Sequence, residues 1–427
     1  MLGLINVKLY GVFFKMKKLC NQSCFRVNLL IFCSLTNFCG AQTKGLIDTT
    51  SCIELRISPR MALSVDTHAE DVFNAVEYLP LESNKKSLFN SIDQLEITED
   101  YYVILDKQTS VVNNKSMSSI LLFKKDGKFH TRITRAMTEF FTINRHQKEI
   151  FAYDFMFGKL DVYNYDGELL RQDKCAFHFE TFVYTSVNSI FAFRNSYFSN
   201  SKDVGLDDGF KFSNLILTDV KFKPLKKYFP FDSLHVSRQD IWPGNINYFS
   251  YSGNNLFFHQ PYFNEIFQIK DDVLLKKFKF IFPLEQSLPV NFASDVQYSK
   301  KRIDHLRKFT DQFYDISDFY QVGNLITFQL FSLKNRNVFF YNLKHQVLSS
   351  LSAIITDNRL VFTPFKERVI GGDDKSIITY EKASSFFRSE TLKLIKASDA
   401  CPPALQDFVS QGSIGSNPVL VKLYMKE

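Results

Sequence analysis

Ser91-Ile92-Asp93-Gln94-Leu95-Glu96-Ile97-Thr98, Tyr101-Tyr102-Val103-Ile104-Leu105-Asp106, Ile120-Leu121-Leu122-Phe123 and Lys128-Phe129-His130-Thr131-Arg132-Ile133 together decide the fold. Each is an apolar run of strand length, bounded by short polar breaks. Between the last two stands Asp126-Gly127, a hairpin signal, because glycine takes positive φ without a Cβ clash. The order is strand, tight turn, strand, loop, strand, tight turn, strand. It recurs with Ile150 to Asp154, Leu160 to Tyr163, Asp166-Gly167 and Glu168 to Arg171, and the two Asp-Gly turns lie 40 residues apart. That spacing is the period of a propeller blade.

Three looser copies follow, marked by Ile190–Arg194 with Leu215–Thr218, Leu256–His259 with Ile266–Ile269, and Leu325–Gln329 with Val338–Tyr341. A sixth set is split between the termini. Its expected strands are Leu360–Phe365, Ser376–Tyr380, Pro418–Tyr424 and, outermost, Asn74–Leu81. Closing a ring this way leaves no open edge. The expected fold is all-β, a six-bladed β-propeller over 71–427, after a leader (1–41) and a linker (42–70). Two amphipathic stretches, Asp295–Phe313 and 384–411, are expected as short helical insertions on one face.

Composition agrees with a strand-rich globular chain: 46 Phe and 19 Tyr stand against one Trp. The net charge of +7 is concentrated at the start, where Lys8, Lys15, Lys17, Lys18 and Arg26 precede any acidic residue. The remaining chain has 47 basic against 45 acidic residues and no dense basic cluster, which argues against nucleic acid as partner. Met16-Lys17-Lys18 followed by the apolar Val27–Cys33 and by Cys39-Gly40-Ala41 reads as a signal peptide cleaved between Ala41 and Gln42. The apolar stretch is too short and interrupted for a stable span. Met16 is then the true start, and an uncleaved anchor is the alternative. Lipidation at Cys39 is a further option, weakened by Phe38 where a small residue is expected.

Past the leader, Cys52, Cys175 and Cys401 remain, without metal-ligand spacing. They read as free thiols, with a Cys52–Cys401 bridge the open alternative if the termini meet. No metal or cofactor motif stands out. HExxH, GxSxG, P-loop and GxGxxG patterns are missing, and eight His are scattered without ligand spacing.

Val76-Glu77-Tyr78-Leu79-Pro80-Leu81-Glu82, Tyr102–Asp106, Leu122-Phe123-Lys124-Lys125-Asp126-Gly127-Lys128-Phe129, Asn264–Ile269 and Asn417–Val421 carry a resemblance. In this order they are similar to the exported six-bladed propeller proteins of Bacteroidetes, which are often lipid-anchored. The resemblance covers nearly all of 50–427. It implies the fold and an address in the periplasm or at the cell surface, and no general activity. Where the family often has a Gly-rich segment after the first Asp-Gly hairpin, this chain has Arg135–Phe140.

The turns inside the blades are short, whereas 107–119, 195–214, 232–247, 283–315 and 382–416 are long and share the opposite face. Long insertions on a rigid scaffold are where function concentrates. The second strand of each blade ends there in a polar residue: Asp106, Asp154, Arg194, His259, Gln329 and Glu381. These could converge on a ligand at the axial channel, or simply bond the turn that follows. Trp242 with Tyr248 near the 232–247 loop could offer a platform for a sugar face, or anchor packing. The reading is a monomeric, non-enzymatic binding propeller that presents this face to a glycan, peptide or envelope protein. The alternative is a hydrolase or lyase at the channel mouth.

Overall fold

The computed structural model describes residues 44–426 except 113–114, 137, 155–157, 187, 196–205, 208, 233–246 and 358. The leader with Ala41, Gln42 and Cys39, and the loop residue Trp242, lie outside the described residues. Leu46–Glu427 forms one compact unit.

The unit begins with β1 (Ile47–Asp48) and β2 (Ile53–Arg56), then two short helices, α1 (Pro59–Leu63) and α2 (Ala69–Val72), then β3 (Phe73–Pro80). Three four-stranded antiparallel sheets follow. They comprise β4 (Gln94–Ile97), β5 (Tyr101–Val112), β6 (Lys115–Lys124) and β7 (Phe129–Ala136); then β8 (Phe140–Asn144), β9 (Glu149–Asp154), β10 (Lys159–Asn164) and β11 (Leu169–Lys174). The third comprises β12 (Thr181–Tyr184), β13 (Ser189–Phe193), β14 (Ser213–Asp219) and β15 (Pro224–Pro230).

Next come β16 (Phe249–Ser252), β17 (Asn255–Phe258), β18 (Glu265–Lys270) and β19 (Val273–Ile281), and after a long insertion containing α3 (Arg302–Lys308) a fourth separate sheet. That sheet is β20 (Asp315–Val322), β21 (Leu325–Phe331), β22 (Arg336–Asn342) and β23 (Val347–Ser350). Finally β24 (Val369–Gly372) and β25 (Ser376–Glu381) lead through α4 (Ala383–Phe386), α5 (Ser389–Ala397) and α6 (Pro403–Gln411) to β26 (Val419–Met425).

This is an all-β, propeller-like fold. The strand order β24-β25-β26-β3 joins the C-terminal strand to the N-terminal one, with Val421 opposite Tyr78 and Leu423 opposite Val76. A ten-stranded sheet arises because the β16–β19 and β24-β25-β26-β3 sets meet through one parallel pair, Ser252 with Gly372. β1 and β2 extend it by pairing in parallel with β19. Phe-rich clusters between sheets form the core, such as Phe257, Phe278, Phe280, Phe319 and Phe328, all at most 1% exposed. Rings pack edge to face there, as Phe280 does on Phe328 at 4.7 Å.

Both Asp-Gly turns form, with φ of +83° at Gly127 and Gly167. A Cβ on Gly127 would lie 2.5 Å from the Pro80 carbonyl, so the site takes only glycine.

Three expectations are corrected. The 107–119 segment is not a long loop: β5 runs to Val112 and β6 begins at Lys115, so they continue as a hairpin. Leu360–Phe365 is not the inner strand of the closing set. The Asp357 carboxylate accepts from the backbone N–H groups of Arg359, Leu360 and Val361 at 2.6–3.0 Å, which folds the segment into a turn, and Pro364 cannot donate to a ladder. Val369–Gly372 takes the strand instead, because Gly371 and Gly372 fit a crowded place. A Cβ on them would stand 3.0 Å from Ile97 Cδ1 and 3.1 Å from Ser252 Oγ respectively. The helical content of Asp295–Phe313 is shorter than its periodicity suggests, a 3-10 turn at Val296–Tyr298 and then α3. The 384–411 insertion is three short helices. Cys52, Cys175 and Cys401 are free thiols.

Candidate functional site

Polar side chains of the innermost strands link neighbouring sheets about the axis. Gln94 donates through Nε2 to the Phe141 carbonyl at 2.7 Å and accepts from the Phe141 N–H at 3.1 Å. The Ser250 and Ser252 hydroxyls each donate at 2.5 Å to β20, at Phe319 O and Gln321 O. The Tyr251 hydroxyl donates to Tyr184 O at 2.7 Å. Arg368 lies 3.3 Å from both Asp318 carboxylate oxygens and donates to Asp93 O. Asp318 sits in a bulge of β20 with φ +46°, a left-handed conformation the surrounding bonds enforce.

The six strand-ending residues are placed as follows. Asp106 is fully buried and accepts from the Asn90 N–H and Ser91 hydroxyl, both at 3.3 Å. Asp154 is half-buried at the end of β9, opposite Lys159. Arg194, fully buried, donates to the His178 and Lys211 carbonyls. His259 donates from Nε2 to Asn247 O at 2.9 Å. Gln329 lies opposite Ser317 at the edge of the β20 bulge. Glu381 accepts from the Lys366 N–H at 2.9 Å, and burial pushes its carboxyl up to about 7. Asp106, Arg194, His259 and Glu381 thus each bond backbone in their own or an adjoining connection. Of the two aromatics, Tyr248 is 4% exposed, with its ring 5.6 Å from that of His259 and its hydroxyl accepting from Asn195 at 3.3 Å.

The long-loop face holds a cleft of about 700 Å³. Its walls are the Tyr262–Glu265 loop and the 283–315 insertion. The insertion is a packed element. Arg302, 1% exposed, donates to Phe292 O at 2.8 Å and Asp295 O at 3.1 Å, and Phe292, Leu306 and Tyr314 close a small core with Phe331. Leu284 and Val290 nevertheless stand 88% and 85% exposed beside the cleft. Asp315, where the insertion rejoins β20, is 1% exposed, and among the described residues neither carboxylate oxygen accepts a hydrogen bond; His259 Nδ1 lies 3.4 Å away. Periodicity in 295–313 marked this insertion, but Asp315 carried no sequence signal. It stands beside a residue 56 positions earlier.

A second cavity, of about 440 Å³, opens on the other face, at the axis. It is bounded by Gln94–Glu99, Arg145, the β16–β17 turn, Tyr320 and 371–374, with Lys125 at its rim.

A family model for a domain of unknown function, DUF4934, matches residues 55–424. No curated protein matches. Among solved structures, the fold is similar to that of a candidate exported protein from Bacteroides fragilis, at TM-score 0.65 and 14% identity, over 88% of this chain and 100% of that one. A DUF4221 family member from Bacteroides vulgatus is less similar, at TM-score 0.43 and 11% identity, covering 83% of this chain and 99% of that one. The β-propeller domain of the trilobed protease from Pyrococcus furiosus gives TM-score 0.31 at 10% identity, over 68% and 91%. The latter two carry no weight in the assignment.

Proposed function

The chain belongs to the DUF4934 family, and from that premise we propose that it is an exported, six-bladed, non-enzymatic binding propeller. The blade count rests on reading the ten-stranded sheet as two four-stranded blades. They touch through the single Ser252–Gly372 pair, a bond too slight to merge them. Export rests on the cationic and apolar pattern of residues 17–41 and on the likeness to the exported protein of Bacteroides fragilis.

Binding is assigned to the long-loop face, where an extended peptide, a glycan or a segment of an envelope protein would lie in the cleft beside the 283–315 insertion. One observation carries this: a well-packed insertion leaves Leu284 and Val290 exposed at a 700 Å³ opening. Packing elsewhere in the insertion is complete enough to bury an arginine, so these two are not left outside for want of a core. Basic Lys300, Lys301 and Lys308 lie exposed farther along it, with Arg307 paired to Asp304 at 3.1 Å, and favour an anionic or acidic partner.

The test is binding to peptide and glycan arrays by wild type and by the Leu284→Asp/Val290→Asp variant. Loss of the array signals at an unchanged melting temperature supports the assignment. Signals that survive in the variant place the partner elsewhere.

A further inference from the structure

Lys125 occupies the rim of the axial cavity on the short-turn face, far in function from anything the long loops offer. Its Nζ lies 4.4 Å from the centroid of the Tyr102 ring and, among the described residues, makes no hydrogen bond or ion pair. Most other charges around the cavity are already used. Glu96 Oε2 pairs with Arg145 Nη2 at 2.9 Å, and the guanidinium lies over the Tyr251 ring at 4.2 Å and donates to Ile97 O. Asp373 accepts from the N–H groups of Lys375 and Ser376 and from the Ser376 hydroxyl, at 2.6–3.0 Å. Asp374 and Glu99 are exposed at the mouth, where water screens them. Arg145 Nε, buried, has no hydrogen-bond partner among the described residues.

Gly371 and Gly372 form part of its wall, since their missing side chains let β24 close on Leu95, Ile97, Ser252 and Tyr320. The space left, about 440 Å³, is far larger than one water and within the range of small-molecule pockets.

We propose that this cavity binds a small molecule through an anionic group, received by Lys125 beside the Arg145–Glu96 pair. A carboxylate or phosphate there would bond the ammonium directly, in a partly desolvated place where a charge-assisted hydrogen bond is strong. Both groups share this chemistry, and the experiment separates them. Supporting the geometry, burial pushes the Lys125 ammonium down to about 8. Arg145 and Lys422 also push it down, and Asp373 and Asp100 oppose this.

The test is calorimetric titration of the full-length protein with D-glucuronate and with inorganic phosphate, with D-glucose as neutral control. Saturable binding of either anion is expected, with Kd on the order of 1 mM or tighter. The anion that binds identifies a sugar-acid carboxylate or a phosphate. Lys125→Met should abolish binding, and Lys125→Arg should retain it. Above pH 8 the wild-type affinity should fall, approaching about tenfold per pH unit, while Lys125→Arg changes less than about twofold. No saturable heat with either anion overturns the proposal. So does equal binding by Lys125→Met.

Discussion

Asn417 offers a direct test of how the C-terminal strand is joined to the N-terminal segment. It is fully buried just before β26, the strand that receives β3. Its Nδ2 donates to Glu82 O at 2.7 Å and Ser87 O at 3.0 Å, and its Oδ1 accepts from the Phe89 N–H at 3.1 Å. One amide therefore ties the C-terminal strand to the segment linking β3 to β4. Replacing it with alanine removes three bonds, each worth about 0.5–1.5 kcal/mol net, and strands buried backbone groups at about 1–3 kcal/mol each unless water enters. The expected loss for Asn417→Ala is about 3–5 kcal/mol, at the upper end for a point change. Asn417→Asp keeps the acceptor for Phe89 but turns both donors into acceptors facing carbonyls, so it should cost at least as much. Urea unfolding followed by far-UV circular dichroism measures both, with m-values close to wild type. An Asn417→Ala loss under about 1 kcal/mol, or an Asn417→Asp protein as stable as wild type, would refute this account of closure.

Glu381 titrates near 7 in the folded chain against the usual 4.5, so between those values the folded state holds a proton the unfolded state has lost. The Glu381 contribution to stability should be greatest below pH 4.5 and fall by roughly 3 kcal/mol as pH rises to 7; Glu381→Gln should remove that component of the slope in denaturation curves taken from pH 4 to 8. Arg145→Met leaves the Glu96 carboxylate, whose side chain is 15% exposed, without its partner, and should cost about 3–5 kcal/mol. Adding Glu96→Gln should recover much of that loss in a double-mutant cycle, and full additivity would count against the pair. Lys125→Met should raise stability at pH 7 by about 1–2 kcal/mol, a figure reduced for partial exposure, and the gain should shrink from pH 8 to 10.5.

Much of the architecture was legible because it is local. Asp126-Gly127 and Asp166-Gly167 turned where expected, since positive φ at glycine is a property of two residues and their strands. The first strand of the closing set was misread because Leu360–Phe365 is more apolar than Val369–Gly372. Burial of Val361 and Phe362 within a turn satisfies apolarity as well as a strand does, and only the crowded axis explains two adjacent glycines there. The amphipathic stripe of 295–313 survives as the shorter α3, because Arg302 is turned inward to hold the insertion's own carbonyls.

Lys125 shows the limit most clearly. In sequence it is one lysine beside a hairpin turn, with no spacing that sets it apart from Lys124 or Lys128. Its character comes from Tyr102 beneath it, from Arg145 and Lys422 nearby, and from a cavity walled by four innermost strands. Asp315 and His259 likewise meet only across 56 residues. The sequence by itself determined most of the strands, the Asp-Gly turns, the repeat and the return of the C-terminal strand to the N-terminal one. Those follow from the two-residue alternation and from backbone freedom at glycine. Tertiary structure alone decided which charges are left without partners and on which face the cavities open. Desolvation and ion pairing depend on distances between strands that the order of residues does not encode locally.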